Sequence, residues 1–258
     1  MGRFYEDIWK KRSLISNFAI SDLKIRYRNS VLGFFWTFLE PLLMLGVLYL
    51  VFTNIFKFEI EHFPLYLLLG IIIWGMFARG TTIGINSMLA RASILTQVYF
   101  PREITSLSAT ITAFLMLCFE LIVFGIFMIV FQFTPSPTIV LLPFILLLEF
   151  ILVFGLSLPL SVLNVRFRDT QFIWAVILQM GFFLTPIFYR FDMLPELAQR
   201  ILYFSPMVQI VNMARDVTLY NTMPSIESIQ ITIATTLLIF AVGYAIFRKI
   251  QVRIIEEL

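Results

Sequence analysis

RYRNSVLGFFWTFLEPLL, residues 26–43, passes from basic and polar positions into a ring-rich apolar run that Glu40 and Pro41 then interrupt. The apolar character resumes at once and continues to Phe56, so 31–56 is long enough to cross a bilayer as a helix, which takes about 20 apolar residues. Only a helix or a closed barrel satisfies its own backbone hydrogen bonds where there is no water. The same reading marks five more spans, roughly 64–88, 107–133, 139–165, 172–189 and 229–247. The whole chain agrees: of 258 residues, 60% are hydrophobic and 14% charged, and the mean hydropathy is +0.92, far above that of a soluble domain. The expected fold is an all-α polytopic membrane protein of six transmembrane helices.

Lys and Arg counts orient it. With six spans, the loops and tails on the side of both termini hold 14 Lys and Arg and the opposite loops four, while acidic residues divide seven to six. Basic residues stay on the cytoplasmic side, so both termini are expected in the cytoplasm, with the chain in the cytoplasmic (inner) membrane. The sequence then divides into a cytoplasmic amphipathic interface segment (1–30) and a six-span transmembrane domain (31–258). Residues 1–30 hold no apolar core or small-residue cleavage site, and do not read as a secretory signal.

Within residues 4–28, Lys10, Ser13, Asn17, Ser21 and Lys24 form a polar stripe at spacings of three and four, opposite Phe4, Ile8, Ile15, Ala19 and Leu23. Such a helix lies in the membrane interface, either as a lipid anchor or as a collar that also touches a cytoplasmic partner. The TPSPT stretch between spans three and four predicts a tight helical hairpin. In the outer segment 190–228, ELAQRILYF and PMVQIVNMARDVTLY are too short to cross and read as two re-entrant or interfacial helices, the second started by Pro206.

Chemistry-bearing residues are few. Cys118 is the one cysteine and His62 the one histidine, so neither a cysteine metal cluster nor an imidazole metal site is expected within one chain, and no catalytic residue stands out. Glu40, Arg79, Glu120 and Glu149 are ionisable groups inside spans, where each is costly. Arg79 either snorkels to the inner headgroups or faces a polar passage and an anionic headgroup. Glu120 and Glu149 read as protonated carboxyls bonding between helices, or less simply as a proton relay. Among the aromatics, Phe34, Trp36, Phe38, Phe183 and Tyr189 are candidates, with Glu40, to line a passage whose rings meet the C–H faces of sugars. No Gly-x-x-x-x-Gly-Lys-Ser/Thr occurs, so a phosphate-cradling loop is absent from this chain.

YRNSVLGFFWTFLEPLL (27–43) resembles the entry to the first span in transmembrane subunits of type-2 ABC exporters for polysaccharides, the O-antigen, teichoic-acid and capsule exporters. VYFPREI (98–104), NVRFRDTQFIW (164–174), FFLTPIFY (182–189) and FSPMVQIVNMARD (204–216) are similar to further motifs of that family, in order along nearly the whole chain. The resemblance implies a homodimer joined to two nucleotide-binding ATPase subunits, which would hold the ATP and Mg. It implies export of a polyprenyl-pyrophosphate-linked glycan, with membrane lipids but no nucleic acid among the partners. A coupling loop at 89–106 would dock on the ATPase through Tyr99, Phe100, Pro101, Arg102 and Glu103. The pyrophosphate would seek Arg26, Arg28 and Arg79. Alternatives are an exporter of a smaller lipid or drug, a membrane-embedded glycosyl- or acyltransferase, and a proton-coupled transporter resting on Glu120 and Glu149.

Overall fold

The computed structural model describes residues 11–54, 62–98, 100–135 and 137–251. Tyr99, Lys57, the tail beyond 251, and Phe4, Ile8 and Lys10 of the amphipathic pattern lie outside them. Among the described residues the chain is helical with no strand.

The helices are α1 (Arg12–Arg26), α2 (Trp36–Asn54), α3 (Phe63–Asn86), α4 (Ala92–Gln97), α5 (Glu103–Val130), α6 (Leu142–Arg166), α7 (Thr170–Leu184), α8 (Glu196–Leu202), α9 (Pro206–Thr218) and α10 (Ile226–Ile250). Short 3₁₀ turns at Gly33–Phe35 and Pro137–Leu141 lead into α2 and α6. Five of these stretches are long and apolar enough to cross a membrane: Gly33–Thr53, Phe63–Asn86, Glu103–Val130, Pro137–Arg166 and Ile226–Ile250. The protein is therefore a multi-pass membrane protein.

The expected fifth span, 172–189, is the exception. α7 has 15 residues, about 22 Å at the helical rise, short of a hydrocarbon core of about 30 Å. It stops because Pro186 disfavours helical geometry at the residue before it, and Thr185 is extended (φ −81°, ψ 134°). Pro41, by contrast, lies inside α2 and the helix runs on through it.

α3 is the axis of the bundle. Its apolar window is 78% buried, against 17% for α2 and for α10, and it packs on α2, α5, α6, α7 and α9. Small residues permit that closeness. A Cβ on Gly80 would meet Val153 and Ala113, and one on Gly84 would run into Ser157. α6 and α10 touch the same way: a Cβ on Gly243 would collide with the Gly155 carbonyl oxygen.

α1 shows the sequence pattern directly. Ser13, Asn17, Ser21 and Lys24 are exposed while Ile15 and Ala19 are buried. The buried side, however, faces protein: α1 packs on α5, and the Thr112 hydroxyl donates to the Ala19 carbonyl at 3.4 Å. Neither sequence reading of this helix, lipid anchor or collar on a cytoplasmic partner, included this contact within the chain. Its C-terminus is tied to α2 by the Tyr27–Thr37 hydroxyl contact of 2.6 Å.

α5 and α6 form the expected hairpin, and α8 and α9 are the two short helices expected in 190–228, with Pro206 in the first turn of α9. α9 is amphipathic, and its buried side includes Met207, Ile210, Val211, Ala214 and Val217. It packs against α3, α6 and α10 at the end of the bundle away from α1.

Candidate functional site

Three sites along the bundle hold nearly all the polar chemistry. In the middle, the Arg79 guanidinium donates to the Glu120 carboxylate at 2.5 Å, joining α3 to α5. Helical side chains lean toward the N-terminus of their own helix, and the Arg79 guanidinium lies over Gly75, about 3.0 Å from where a Cβ would be. Gly75 is one turn nearer the end of α3 remote from α1, so Arg79 does not snorkel toward the α1 end. Glu120 takes Arg79 as its partner rather than another carboxyl. Glu149, fully buried on α6, has both carboxylate oxygens without a hydrogen-bond partner among the described residues. Arg79 and Glu120 lie within its electrostatic reach, as Glu40 and Arg26 do for Glu120. A string of charges thus leads from the end of α1 into the bundle.

Glu40 itself is exposed on α2, amid exposed Trp36, Leu43, Met44 and Val47. The ring residues divide. Trp36 and Phe183 are exposed, at 41% and 59%. Phe34 and Phe38 are half-buried; Phe34 packs edge-on against Tyr27, Phe38 and Phe119, so it fills the α2–α5 joint. The Tyr189 hydroxyl donates to the carbonyls of Phe183 and Leu184, both at 3.0 Å, closing the end of α7.

At the α1 end, the 89–106 loop is shorter than expected because α5 begins at Glu103. Among the described residues its exposed part is α4 and its exit, with Ile94 and Val98 at 39% and 54%. Phe100 is buried with Ile15 and Ile104 and meets Phe18 edge-on at 5.8 Å. Glu103 is 3% exposed and 3.6 Å from Arg248 of α10. Pro101 and Arg102 are half-buried. Arg26 and Arg28 are exposed at the same end. Arg91, in the 89–106 loop, is a staple: buried, it pairs with Asp22 of α1 at 2.6 Å and lies 4.5 Å over the Phe18 ring.

At the opposite end, Arg215 of α9 is one of the basic residues of the 190–228 segment. It is 1% exposed and donates to the carbonyls of Pro186, at 2.5 Å, Ile187, at 2.8 Å, and Tyr66, at 3.1 Å. Its guanidinium stacks 3.4 Å over the Tyr66 ring, and the Tyr66 hydroxyl donates to the Tyr189 carbonyl at 2.7 Å. One cation satisfies the carbonyls that the break after α7 leaves behind and locks α9 to α3. The apolar neighbours of Arg215 in α9 were the available signal, since a cation on a buried face needs acceptors. Next to it, burial raises the Asp216 carboxyl to about 6, with Arg215 opposing. Among the described residues no group of three or more His, Cys, Asp or Glu is placed to hold a metal.

The described residues thus form a polytopic helical bundle with a short exposed helix at the α1 end and short helices at the other. Residues 16–219 match the family model described as ABC-2 type transporter. The chain belongs to the ABC-2 type transporter family. This ABC-2 protein is 32% identical over 238 residues to an O-antigen export system permease protein RfbA of Klebsiella pneumoniae, covering 92% of each chain. It is 28% identical to the protein of the same name from Myxococcus xanthus, over 96% of each. It is 24% identical to the capsule polysaccharide export inner-membrane protein BexB of Haemophilus influenzae, over 92% of this chain and 90% of that one.

Proposed function

We propose that this chain is the permease subunit of an ATP-driven exporter that carries a polyprenyl-pyrophosphate-linked polysaccharide across the cytoplasmic membrane. The observation that carries the reading is the end-to-end match to polysaccharide-export permeases, 92% of both chains in the first case. The α1 end, with its excess of Lys and Arg, is the cytoplasmic end; α7 and the non-helical 185–189 stretch together make the fifth crossing, and α8 and α9 are the re-entrant outer pair.

Two copies form the pathway. α7 has no buried residue, and exposed Glu40 on α2 is costly against lipid; a second copy or an aqueous passage between copies would relieve both. Two nucleotide-binding subunits hold ATP and Mg and press on α4, braced by Phe100 and Glu103, while Arg26 and Arg28 meet the pyrophosphate at the inner surface. Arg79 already has a carboxylate partner, so it serves the substrate only by exchanging Glu120 for phosphate.

The test is ATP hydrolysis in lipid nanodiscs, by this chain alone and co-purified with the ATPase encoded nearest to it. Hydrolysis that needs the second protein, and loses its coupling to glycan export in Ile94→Asp and Val98→Asp, is the expected result. An isolated chain that hydrolyses ATP unaided, or loop variants indistinguishable from the parent, would defeat the reading.

A further inference from the structure

A cavity of about 660 Å³ opens at the end of the bundle remote from α1, between α9, the start of α10 and the Phe191–Met193 turn, with Tyr66 and Arg215 at its floor. Its size falls within the roughly 300–1,000 Å³ typical of small-molecule sites, and the chemistry of its wall is specific. Tyr203, Tyr220 and Phe191 supply rings, and Asn212 and Asp216 supply polar groups from one face of α9. Tyr220 is 41% exposed. The Tyr203 carbonyl is held by the Gln209 side chain at 2.6 Å, which fixes that part of the rim.

The cations at this cavity are already engaged. Arg190 pairs with Asp192 at 2.7 Å, and Arg215 is committed to three carbonyls and the Tyr66 ring. Asn212 and Asp216, one turn apart, make no side-chain hydrogen bond to another described residue. An amide offers two donors and an acceptor, and a carboxylate two acceptors, so the wall keeps unspent capacity for hydroxyl groups. A phosphate or uronate would instead meet Asp216 with no uncommitted arginine to offset it. Ring faces carry negative charge density that attracts polarised C–H groups, such as those on the flat side of a pyranose.

We propose that this cavity binds a short uncharged stretch of carbohydrate, stacked on Tyr220 and Tyr203 and hydrogen-bonded by Asn212 and Asp216. It would hold the glycan as it leaves the bundle. The assignment rests on the export reading above, and it adds a site for the sugar itself, separate from the lipid-pyrophosphate end. The clamp at Arg215 suits it, because it makes the floor rigid and leaves the wall to the ligand.

The experiment is saturation-transfer NMR on the full chain in nanodiscs with neutral trisaccharides of glucose, galactose, mannose and rhamnose, and with tri-galacturonic acid as the charged probe. At least one neutral trisaccharide should receive saturation at its ring protons and the acid none. Asn212→Ala and Tyr220→Ala should each weaken binding at least tenfold, and Arg200→Ala, on exposed α8, should leave it unchanged. Asn212→Ser and Tyr220→Phe guard against loss of fold: Tyr220→Phe, which keeps the ring, should retain most of the binding. Absence of binding by every neutral trisaccharide, preference for the acid, or binding untouched by both alanine variants overturns the site. Partner-dependent ATPase activity measured on the same preparation separates the outcomes. If that activity stands and sugar binding fails, only this site falls; if that activity is absent, the export reading falls, whatever the sugar does.

Discussion

Arg79 and Glu120 bury a salt bridge whose two side chains are 13% and 1% exposed. Breaking such a pair leaves an uncompensated charge, which costs about 3–5 kcal/mol, whereas replacing both partners by apolar groups is often near neutral. Arg79→Met should therefore sharply lower the thermal unfolding temperature of the detergent-purified protein, and Arg79→Met with Glu120→Leu should recover most of the loss; equal losses would mean that the pair is not the reason. Arg215 is a stricter case, because three carbonyls depend on it. Arg215→Ala should cost about 3 kcal/mol, and Arg215→Lys, unable to form the planar fork or to stack, should rescue only part, as judged by unfolding of the same preparation. Asp216 gives a pH signature. Its carboxyl is raised by burial to about 6, from an ordinary 3.8, so between those values the folded state binds more protons than the unfolded one. Stability from this group is then present below about 4 and lost as pH rises through about 6. Asp216→Asn should raise the unfolding temperature by a few degrees at pH 7, with the gain vanishing near pH 4; the charged groups facing this site are Arg215, Arg190 and Asp192. None of these pairings was legible in the sequence. Arg79, Glu120 and Glu149 were visible as ionisable residues inside apolar spans, but partner choice depends on how three helices rotate against one another.

The helices themselves were far more legible, because their lengths and ends follow from local chemistry. Apolar runs of about 20 or more residues became α2, α3, α5, α6 and α10, Pro206 opened α9, and the polar stripe of α1 faces outward. Within the expected span 172–189 the helix stops at Leu184 for a local reason, since Pro186 ends α7 early. The packing of α1 on α5 was not legible for a non-local reason: a hydrophobic stripe has the same pattern whether it meets lipid or protein. The α6–α10 contact is where an element-scale prediction can be made. Adding a methyl group at Gly243 brings a Cβ against the Gly155 carbonyl, and overpacking of this kind costs about 1–3 kcal/mol. Gly243→Ala should lower the unfolding temperature, while Gly46→Ala, where a Cβ meets nothing within 4 Å, should not; the comparison isolates close approach from helix propensity.

At the scale of the whole molecule, the exposed surfaces of α2 and α7 matter most. Both helices lie against α3, and Phe52 of α2 stacks on Phe188, beyond the end of α7, 4.7 Å apart. Together they present Trp36, Glu40 and Phe183 on the surface of the single chain. A carboxylate there is tolerated if a passage or a second copy covers it. Glu40→Ala is expected to leave membrane insertion intact but reduce glycan export or dimer recovery on cross-linking. Unchanged export at normal expression would show that Glu40 faces neither.

What the sequence by itself determined is whatever depends on neighbours along the chain. It set membrane residence, the positions of five spans, the proline punctuation and the basic bias of one end, and its ordered motifs carried the family resemblance. Tertiary structure decided where the charges found partners. It buried Phe100 and Glu103 while leaving Ile94 and Val98 exposed, turned Arg91 and Arg215 into staples, and brought α9, α10 and Tyr66 around one cavity. The physical reason is that apolar transfer is nearly additive along a helix, whereas ion pairs, hydrogen bonds and close contacts need particular atoms within a few ångströms, set by packing between segments far apart in sequence.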